Sequence, residues 1–421
     1  MKNIATIILA AGEGTRMKSS LPKVLHSICG KPMAQYLIDN VNSIGMEKIW
    51  IIIGHRADLV KERLGPGIKC IIQDELLGTG DAVSRARSAI IKDNKIENIL
   101  ILYGDTPLLS QDIIQKLIEK HIETEASCTL LTAQLKNPTG YGRVIRSSGN
   151  KIVKIVEELD ASIYEKVIEE INVGVYCFNK RALFYSLEKI QPENKKEEYY
   201  LTDTIEVLTK SNMLVESVTT GDTEEFLGVN TRSELAKAES VMRKRILAGI
   251  MDSGVTIVDP DNTYIEHGAK IGRDTVIYPY TFIENNVKIG PDCSIGPCAR
   301  LRTGTVVANN VGIGNFAELV RSSVGENTKI RHQCYIGDTI IGKNVNIGAG
   351  TIVANYDGKE KHKTVIEDNA FIGTGTILVA PVKIGKGAVT GAGSVVTKNK
   401  NVPAGKTVIG IPARLLNKNK K

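Results

Sequence analysis

Apolar residues follow two different rules in the two halves of this chain. Up to about residue 230, short apolar runs alternate with stretches whose apolar residues recur every three or four positions. Ile4 to Leu9, Ile49 to Ile53, Cys70 to Ile72 and Ile99 to Leu102 predict buried strands. Met33 to Ile44 and Ile113 to Ile122 predict amphipathic helices. Such alternation implies a mostly parallel sheet with helices on both faces. Further strands are expected near Cys128 to Leu135, Arg143 to Ile145, Val173 to Phe178 and Val215 to Val218.

A connecting helix is expected from Thr231. Thr231 and Glu234 have the spacing of a capping box, and Leu235, Ala238, Met242, Ile246 and Ile250 fall on one helical face. About 20 residues at 1.5 Å each would span roughly 30 Å, a suitable spacer between two sites. The expected division is residues 1–230, a linker helix 231–250 and a second domain 251–421.

The second half has a period of six. From Ile265 an aliphatic residue recurs at 271, 277, 283, 289, 295, 301, 307, 313 and 319. Five-residue steps lead to Val324 and Ile341, and after a break the series resumes at Ile366 and runs to Val396, with Thr390 its one polar member. Period six would smear these residues around an α-helix, but it suits a triangular parallel β-helix with one inward residue per side. About 22 such positions, three per coil, give roughly seven coils and a prism roughly 35 Å tall. The break holds Tyr356-Asp357-Gly358 and reads as a loop leaving the prism.

Composition narrows the setting. A chain of 421 residues is too long for one ordinary core. The 39 glycines against one tryptophan and six phenylalanines fit turn-rich repeats. The net charge of +7 is mild, part of it in the tail lysines Lys418, Lys420 and Lys421. No basic face interleaved with aromatics suggests nucleic-acid binding, and no apolar run approaches a membrane span. Seven cysteines without a CxxC pair point to reduced thiols in the cytoplasm and against a cysteine zinc site.

The string Leu9-Ala10-Ala11-Gly12-Glu13-Gly14-Thr15-Arg16-Met17, closed by Pro22-Lys23, runs a strand into a glycine-rich turn whose N–H groups can cradle phosphate oxygens. It resembles the signature of sugar-nucleotide pyrophosphorylases. That resemblance implies a Rossmann-like nucleotidyltransferase domain, with Arg16 and Lys23 supplying positive charge to a triphosphate. Gln73 and Leu77-Gly78-Thr79-Gly80 look like the base-reading segment, a glutamine amide offering both a donor and an acceptor to uracil. Tyr103-Gly104-Asp105 ends an apolar strand, where doubly wound sheets bind ligands. The resemblance implies that Asp105 and Asn230 hold Mg²⁺, and that Gly142, Glu157 and Asn172 meet the sugar.

In the second half, Ala299-Arg300-Leu301-Arg302, Gly314-Asn315-Phe316-Ala317-Glu318, Arg331-His332-Gln333-Cys334-Tyr335 and Asn355-Tyr356-Asp357-Gly358 resemble the bacterial GlmU-type bifunctional family. With the first set, the likeness covers essentially the whole chain. It implies a left-handed β-helix and two activities. One is N-acetylation of glucosamine 1-phosphate by acetyl-CoA; the other is transfer of UMP from UTP to N-acetylglucosamine 1-phosphate, releasing pyrophosphate. His332 would be the general base and Glu318, fourteen residues earlier, would orient it. By the same resemblance Arg302, Tyr335, Asn346 and Asn355 contact the phosphosugar. Ala349, Asn355, Tyr356, Thr374 and Ala392 line the acetyl-CoA groove, and three chains assemble as a homotrimer. Three departures stand out: Val320 where the family carries a lysine, Arg331 where it carries a glycine, and no clear match for the arginine the family places near the C-terminus for CoA, with Gly410 or Arg414 in that region. Arg321 or Arg331 is expected to supply the missing phosphate charge. The alternative is a sugar-1-phosphate nucleotidyltransferase alone, with a purely structural β-helix. A non-enzymatic scaffold would be expected to have lost the glycine loop and Asp105, and both are intact.

Overall fold

The computed structural model of the protein describes residues 3–54, 56–65 and 67–416, and the tail lysines Lys418, Lys420 and Lys421 lie outside them. The chain divides into two compact units, Met1–Val241 and Met242–Lys421. The division falls inside the helix Arg232–Asp252.

In the first unit the described residues form a nine-stranded sheet. Its strands are β1 (Ile4–Ala10), β2 (Ile49–Ile53), β3 (Lys69–Ile72), β4 (Asn98–Tyr103), β5 (Cys128–Gln134), β6 (Arg143–Arg146), β7 (Ile152–Val156), β8 (Glu170–Asn179) and β9 (Val215–Thr220). The main path runs β9-β5-β8-β4-β1-β2-β3, with β8 alone antiparallel to its neighbours, and β6 and β7 pair as an antiparallel flap beside it. The apolar runs are continuous because both faces are covered. Along β1, Ile4 and Ile8 join one core, with Ala34, Leu37 and Leu117 from two helices. Ala5 and Ile7 join the other, with Val83, Leu183 and Ile205 from three more. Strand β7 and the short helices Ala57–Leu64, Thr79–Arg85, Lys180–Leu187 and Asp203–Lys210 were not anticipated; eight residues or fewer give too little periodicity to read.

The expected capping box is present. Thr231 Oγ1 accepts the Glu234 N–H at 3.2 Å, while Glu234 Oε2 accepts the N–H groups of Thr231 and Asn230 at 2.8 Å.

The second unit is a left-handed parallel β-helix. Its short strands stack into sheets of ten, eight and seven strands among the described residues. The period-six aliphatics point inward and form one continuous core. The prism also extends past the predicted series, with Thr256–Ile257 before Ile265 and Thr407–Ile409 after Val396. A turn at Pro260–Asn262 breaks the six-residue step at the start, which hid the first strand.

A second series, two positions before each aliphatic, was also missed. It includes Thr263, Thr275, Thr281, Thr305, Thr328, Thr351 and Thr376, all fully buried. Several of their hydroxyls stitch one coil to the next: Thr275 Oγ1 donates to the Gly290 carbonyl at 2.9 Å and accepts the Cys293 N–H at 3.0 Å. Thr390 is tolerated inside for the same reason, bonding Thr376 Oγ1 at 2.9 Å and the Gly373 N–H at 3.0 Å.

One buried group makes the first unit acid-sensitive. His121 bonds Thr129 Oγ1 and Asn98 Oδ1, each at 3.1 Å, and burial pulls its pKa from 6.5 to about 4. The unfolded chain takes up this proton near pH 6.5, so stability is lost as pH falls from there towards 4, by up to about 3 kcal/mol. Trp50, the sole tryptophan, lies in β2 and reports this unit. Urea midpoints followed by its fluorescence should drop over that pH window, and the drop should flatten in His121→Gln.

Candidate active sites in the two units

Parallel strands end on one edge, and in the first unit that edge carries a cavity of about 700 Å³. The Gly104 N–H donates to the Leu9 carbonyl at 2.8 Å, docking the turn after β4 against β1. The loop after β1 is set by Gly14, whose φ is +64° and whose missing Cβ would lie 2.8 Å from the Lys23 Cβ. Leu9, Ala10, Ala11, Gly12, Arg16, Lys23, Gln73, Gly78, Thr79, Tyr103, Asp105 and Glu157 of the expected set line the cavity.

The Lys23 ammonium sits between Asp105 Oδ2, at 2.5 Å, and Asn230 Oδ1, at 3.0 Å. Asn230 is drawn there by its neighbour, since the Val229 N–H donates to the Asp105 carbonyl at 2.9 Å. A carboxylate and a carboxamide oxygen thus converge on one cation, which is the donor chemistry a magnesium ion takes. Among the described residues no group of three or more His, Cys, Asp or Glu could hold a metal. The remaining ligands of such an ion would have to be water and substrate phosphates.

Gln73 is buried, and its amide nitrogen donates to Asp81 Oδ2 at 2.8 Å and the Gly78 carbonyl at 3.1 Å. Both donors are therefore used within the protein, and only the amide oxygen remains for a base. This corrects the expectation that Gln73 offers a donor as well. Gly78 has φ +112°, and a Cβ there would meet the Tyr199 carbonyl at 2.5 Å. That close approach locks the loop of Gly78 and Thr79 onto the segment before Tyr200.

Gly142, Glu157 and Asn172 come together, but only Glu157 lines the cavity, with Gly142 and Asn172 packed behind it. The Asn172 N–H donates to the Gly142 carbonyl at 2.8 Å, and a Cβ on Gly142 would sit 3.4 Å from both Glu157 carboxylate oxygens. Thr202 Oγ1 donates to Glu157 at 3.0 Å. Burial raises the Glu157 pKa, and burial together with Glu157 pushes Asp203 up to about 6. Lys196, Glu198 and Tyr200 also line the cavity and were not anticipated; their loop has no periodic signal, only the mixed charge of Glu193 to Glu198.

In the second unit, sites are built by stacking. His332 follows Ile330 on a strand of the ten-stranded sheet, directly over Asn315, and its Nδ1 lies 2.9 Å from Asn315 Oδ1. An amide oxygen can only accept, so Nδ1 carries the proton and Nε2 presents its lone pair. Glu318 does not hold the imidazole. One coil here is 17 residues, so fourteen residues before His332 falls on the next face: Glu318 pairs with Tyr335, and its carboxylate takes Arg302 at 3.0 Å. Ala349, Thr374 and Ala392 form a ladder at one prism edge, where the Gly375 N–H reaches the Ala349 carbonyl and the Gly393 N–H the Thr374 carbonyl, each at 2.7 Å.

Asn355 and Tyr356 open the loop that leaves the prism. Asp357 gathers that loop, accepting the Glu360 and Lys359 N–H groups at 2.9 and 3.0 Å and His362 Nε2 at 2.6 Å. These bonds, the Glu360 N–H foremost, hold its carboxyl well below the usual range. Asn355 Nδ2 donates to Asp338, which is also gripped by Arg321.

Residues 5–225 match the Nucleotidyl transferase family, 260–355 the GMPPB C-terminal domain, and 363–398 the bacterial transferase hexapeptide family. The Bifunctional protein GlmU of Halalkalibacterium halodurans is 43% identical over 95% of this chain and 94% of its own length. The Pseudothermotoga lettingae and Clostridium perfringens proteins of that name are 45% and 44% identical, over 94% and 97% of this chain and 94% and 96% of theirs. The chain belongs to the GlmU family. It is a bifunctional enzyme, with a uridylyltransferase in front of an N-acetyltransferase.

For a GlmU-family chain the contact of Asn315 with His332 has a measurable consequence. Asn315→Ala frees the imidazole to take either tautomer, and losing one orienting hydrogen bond should lower kcat for acetyl transfer by about tenfold. Rates of thiol release from acetyl-CoA check this; an unchanged kcat would detach Asn315 from the chemistry.

Proposed function

We propose that the first unit binds UTP and N-acetylglucosamine 1-phosphate in the cavity at the ends of β1, β3 and β4. The sugar phosphate oxygen attacks the α-phosphate, and pyrophosphate leaves. Lys23 and Arg16 stabilise the charge of the triphosphate and its leaving group, and the loop Ala10 to Gly12 aligns it. The Gln73 amide oxygen accepts the N3–H of uracil, a hydrogen that cytosine lacks. Asp105 and Asn230 would hold Mg²⁺, which supplies charge neutralisation for the triphosphate. Gly142, Glu157 and Asn172 meet the sugar.

In the second unit His332 Nε2 takes a proton from the amine of glucosamine 1-phosphate as it attacks the acetyl-CoA thioester. The amide C–N bond forms, the C–S bond breaks, and CoA leaves as its thiol. Ala349, Thr374, Ala392, Asn355 and Tyr356 receive the CoA. The free edge of the imidazole, with Nδ1 engaged by Asn315, is the observation that carries this role.

We also propose a homotrimer. Tyr335 belongs to the eight-stranded sheet and Arg302 directly follows one of its strands, while His332 and Asn346 belong to the ten-stranded one. Outward faces of a triangular prism point apart, so a pocket using both needs a neighbouring chain. No helix among the described residues is long and apolar enough to cross a membrane. The free cysteines fit a reducing cytoplasm.

His332→Ala should abolish thiol release from acetyl-CoA while UMP transfer to N-acetylglucosamine 1-phosphate continues at its original rate. Retained acetyl transfer would favour the reading in which the β-helix is structural.

A further inference from the structure

Among the described residues Arg143 is the largest side chain that is wholly buried, with only 1% of it reaching solvent. Taking a guanidinium out of water costs on the order of several kcal/mol, and well-packed apolar residues are often no less stable in its place. Its partners show what the charge does instead. Nη2 donates to Glu158 Oε2 at 2.7 Å and to the Lys166 carbonyl at 3.3 Å, and Nη1 donates to the Tyr141 carbonyl. Glu158 Oε2 also accepts the Gly140 N–H at 3.1 Å. Burial works against the Glu158 carboxylate, but the guanidinium and that N–H together hold its carboxyl below the usual range. One ion pair thus fastens together the loop of Gly140 to Gly142, the turn after β7 and the end of the helix Ile163–Lys166.

Register carries this grip to the cavity. Arg143 opens β6, opposite Val156, the last residue of β7, and opposite Ile171 of β8. One step beyond those pairs stand Gly142, Glu157 and Asn172, the residues read as meeting the sugar. Gly142 and Glu157 lie just past the end of the β6–β7 ladder, so no further strand pairing fixes their separation. Gly140 and Glu158, which the ion pair joins, both line the cavity themselves. The base-reading residues are held by other partners: Gln73 bonds Asp81 and Gly78, and Thr79 Oγ1 accepts the Leu201 N–H at 3.0 Å.

We infer that Arg143, acting through Glu158, is a positioning residue for uridylyl transfer, setting the separation of Gly142 and Glu157 that admits N-acetylglucosamine 1-phosphate. Being buried, it touches no substrate itself. A lysine is no substitute, because a single ammonium lacks the planar fork that spans the Tyr141 carbonyl, Glu158 and the Lys166 carbonyl. This rests on the reading that Gly142, Glu157 and Asn172 meet the sugar.

The test is steady-state UMP transfer by the full chain, read as pyrophosphate release with each substrate varied in turn. Glu158→Gln keeps the shape of the side chain and removes its charge. In that variant kcat/KM for N-acetylglucosamine 1-phosphate should fall at least about tenfold, the scale of one charge-assisted hydrogen bond. The KM for UTP, and thiol release from acetyl-CoA, should stay within about twofold, since neither depends on this pair. Arg143→Lys carries the same expectation, and Glu158→Gln decides alone should Arg143→Lys fail to fold by circular dichroism. An unchanged kcat/KM for the sugar in Glu158→Gln overturns the inference. So does an equal loss towards both substrates, which is the mark of a general structural defect. Glu157→Gln is the companion variant. If it leaves the KM for N-acetylglucosamine 1-phosphate unchanged, the sugar reading itself falls, and the positioning role with it. If it raises that KM while Glu158→Gln has no effect, only the positioning role falls.

Discussion

Parallel pairing is the constraint on which both sites depend. Strands that run the same way bring their carboxyl ends to one edge, and the chain must travel before it can add another. In the first unit this gathers the turn after Ala10, the residue after Ile72 and the turn after Tyr103 around one cavity, although they are far apart in sequence. In the second unit the return path is a coil of 17 or 18 residues, so position in the sequence fixes both face and height. His332 lies over Asn315 for that reason alone, and Glu318 belongs to Tyr335.

The two sites also handle charge in a similar way. Each holds cations whose partners decide what they can do. Lys23 is lodged between Asp105 and Asn230, at a point suited to a metal, while Arg16 makes no ion pair among the described residues. In the β-helix, Arg302 and Arg321 are matched by carboxylates on neighbouring coils, while Arg331 makes no ion pair among the described residues. Counting arginines would not distinguish these roles. Counting their partners does.

Much of this was legible in the sequence, for physical reasons. Continuous apolar runs such as Ile49 to Ile53 read as strands because both faces are buried, and the period-six aliphatics read as a prism because nothing else has that period. The motif residues around the first cavity were found through their resemblance to a known signature, read in order along the chain. What escaped depends on contacts between distant segments. Gln73 gives no sign in sequence that Asp81 and Gly78 use its donors, and Tyr200 enters the cavity from a loop without pattern. Glu318 is paired with His332 by the family resemblance, whereas the five-residue step at Val324 sets a 17-residue coil that puts Asn315 there instead.

The central claim is that two pockets in one polypeptide act on one sugar in succession. It is tested most directly by giving the purified chain glucosamine 1-phosphate, acetyl-CoA, UTP and magnesium, and following free CoA thiol and pyrophosphate together. The account predicts equal final yields, with pyrophosphate lagging behind thiol. Pyrophosphate appearing at full rate without any thiol would contradict it.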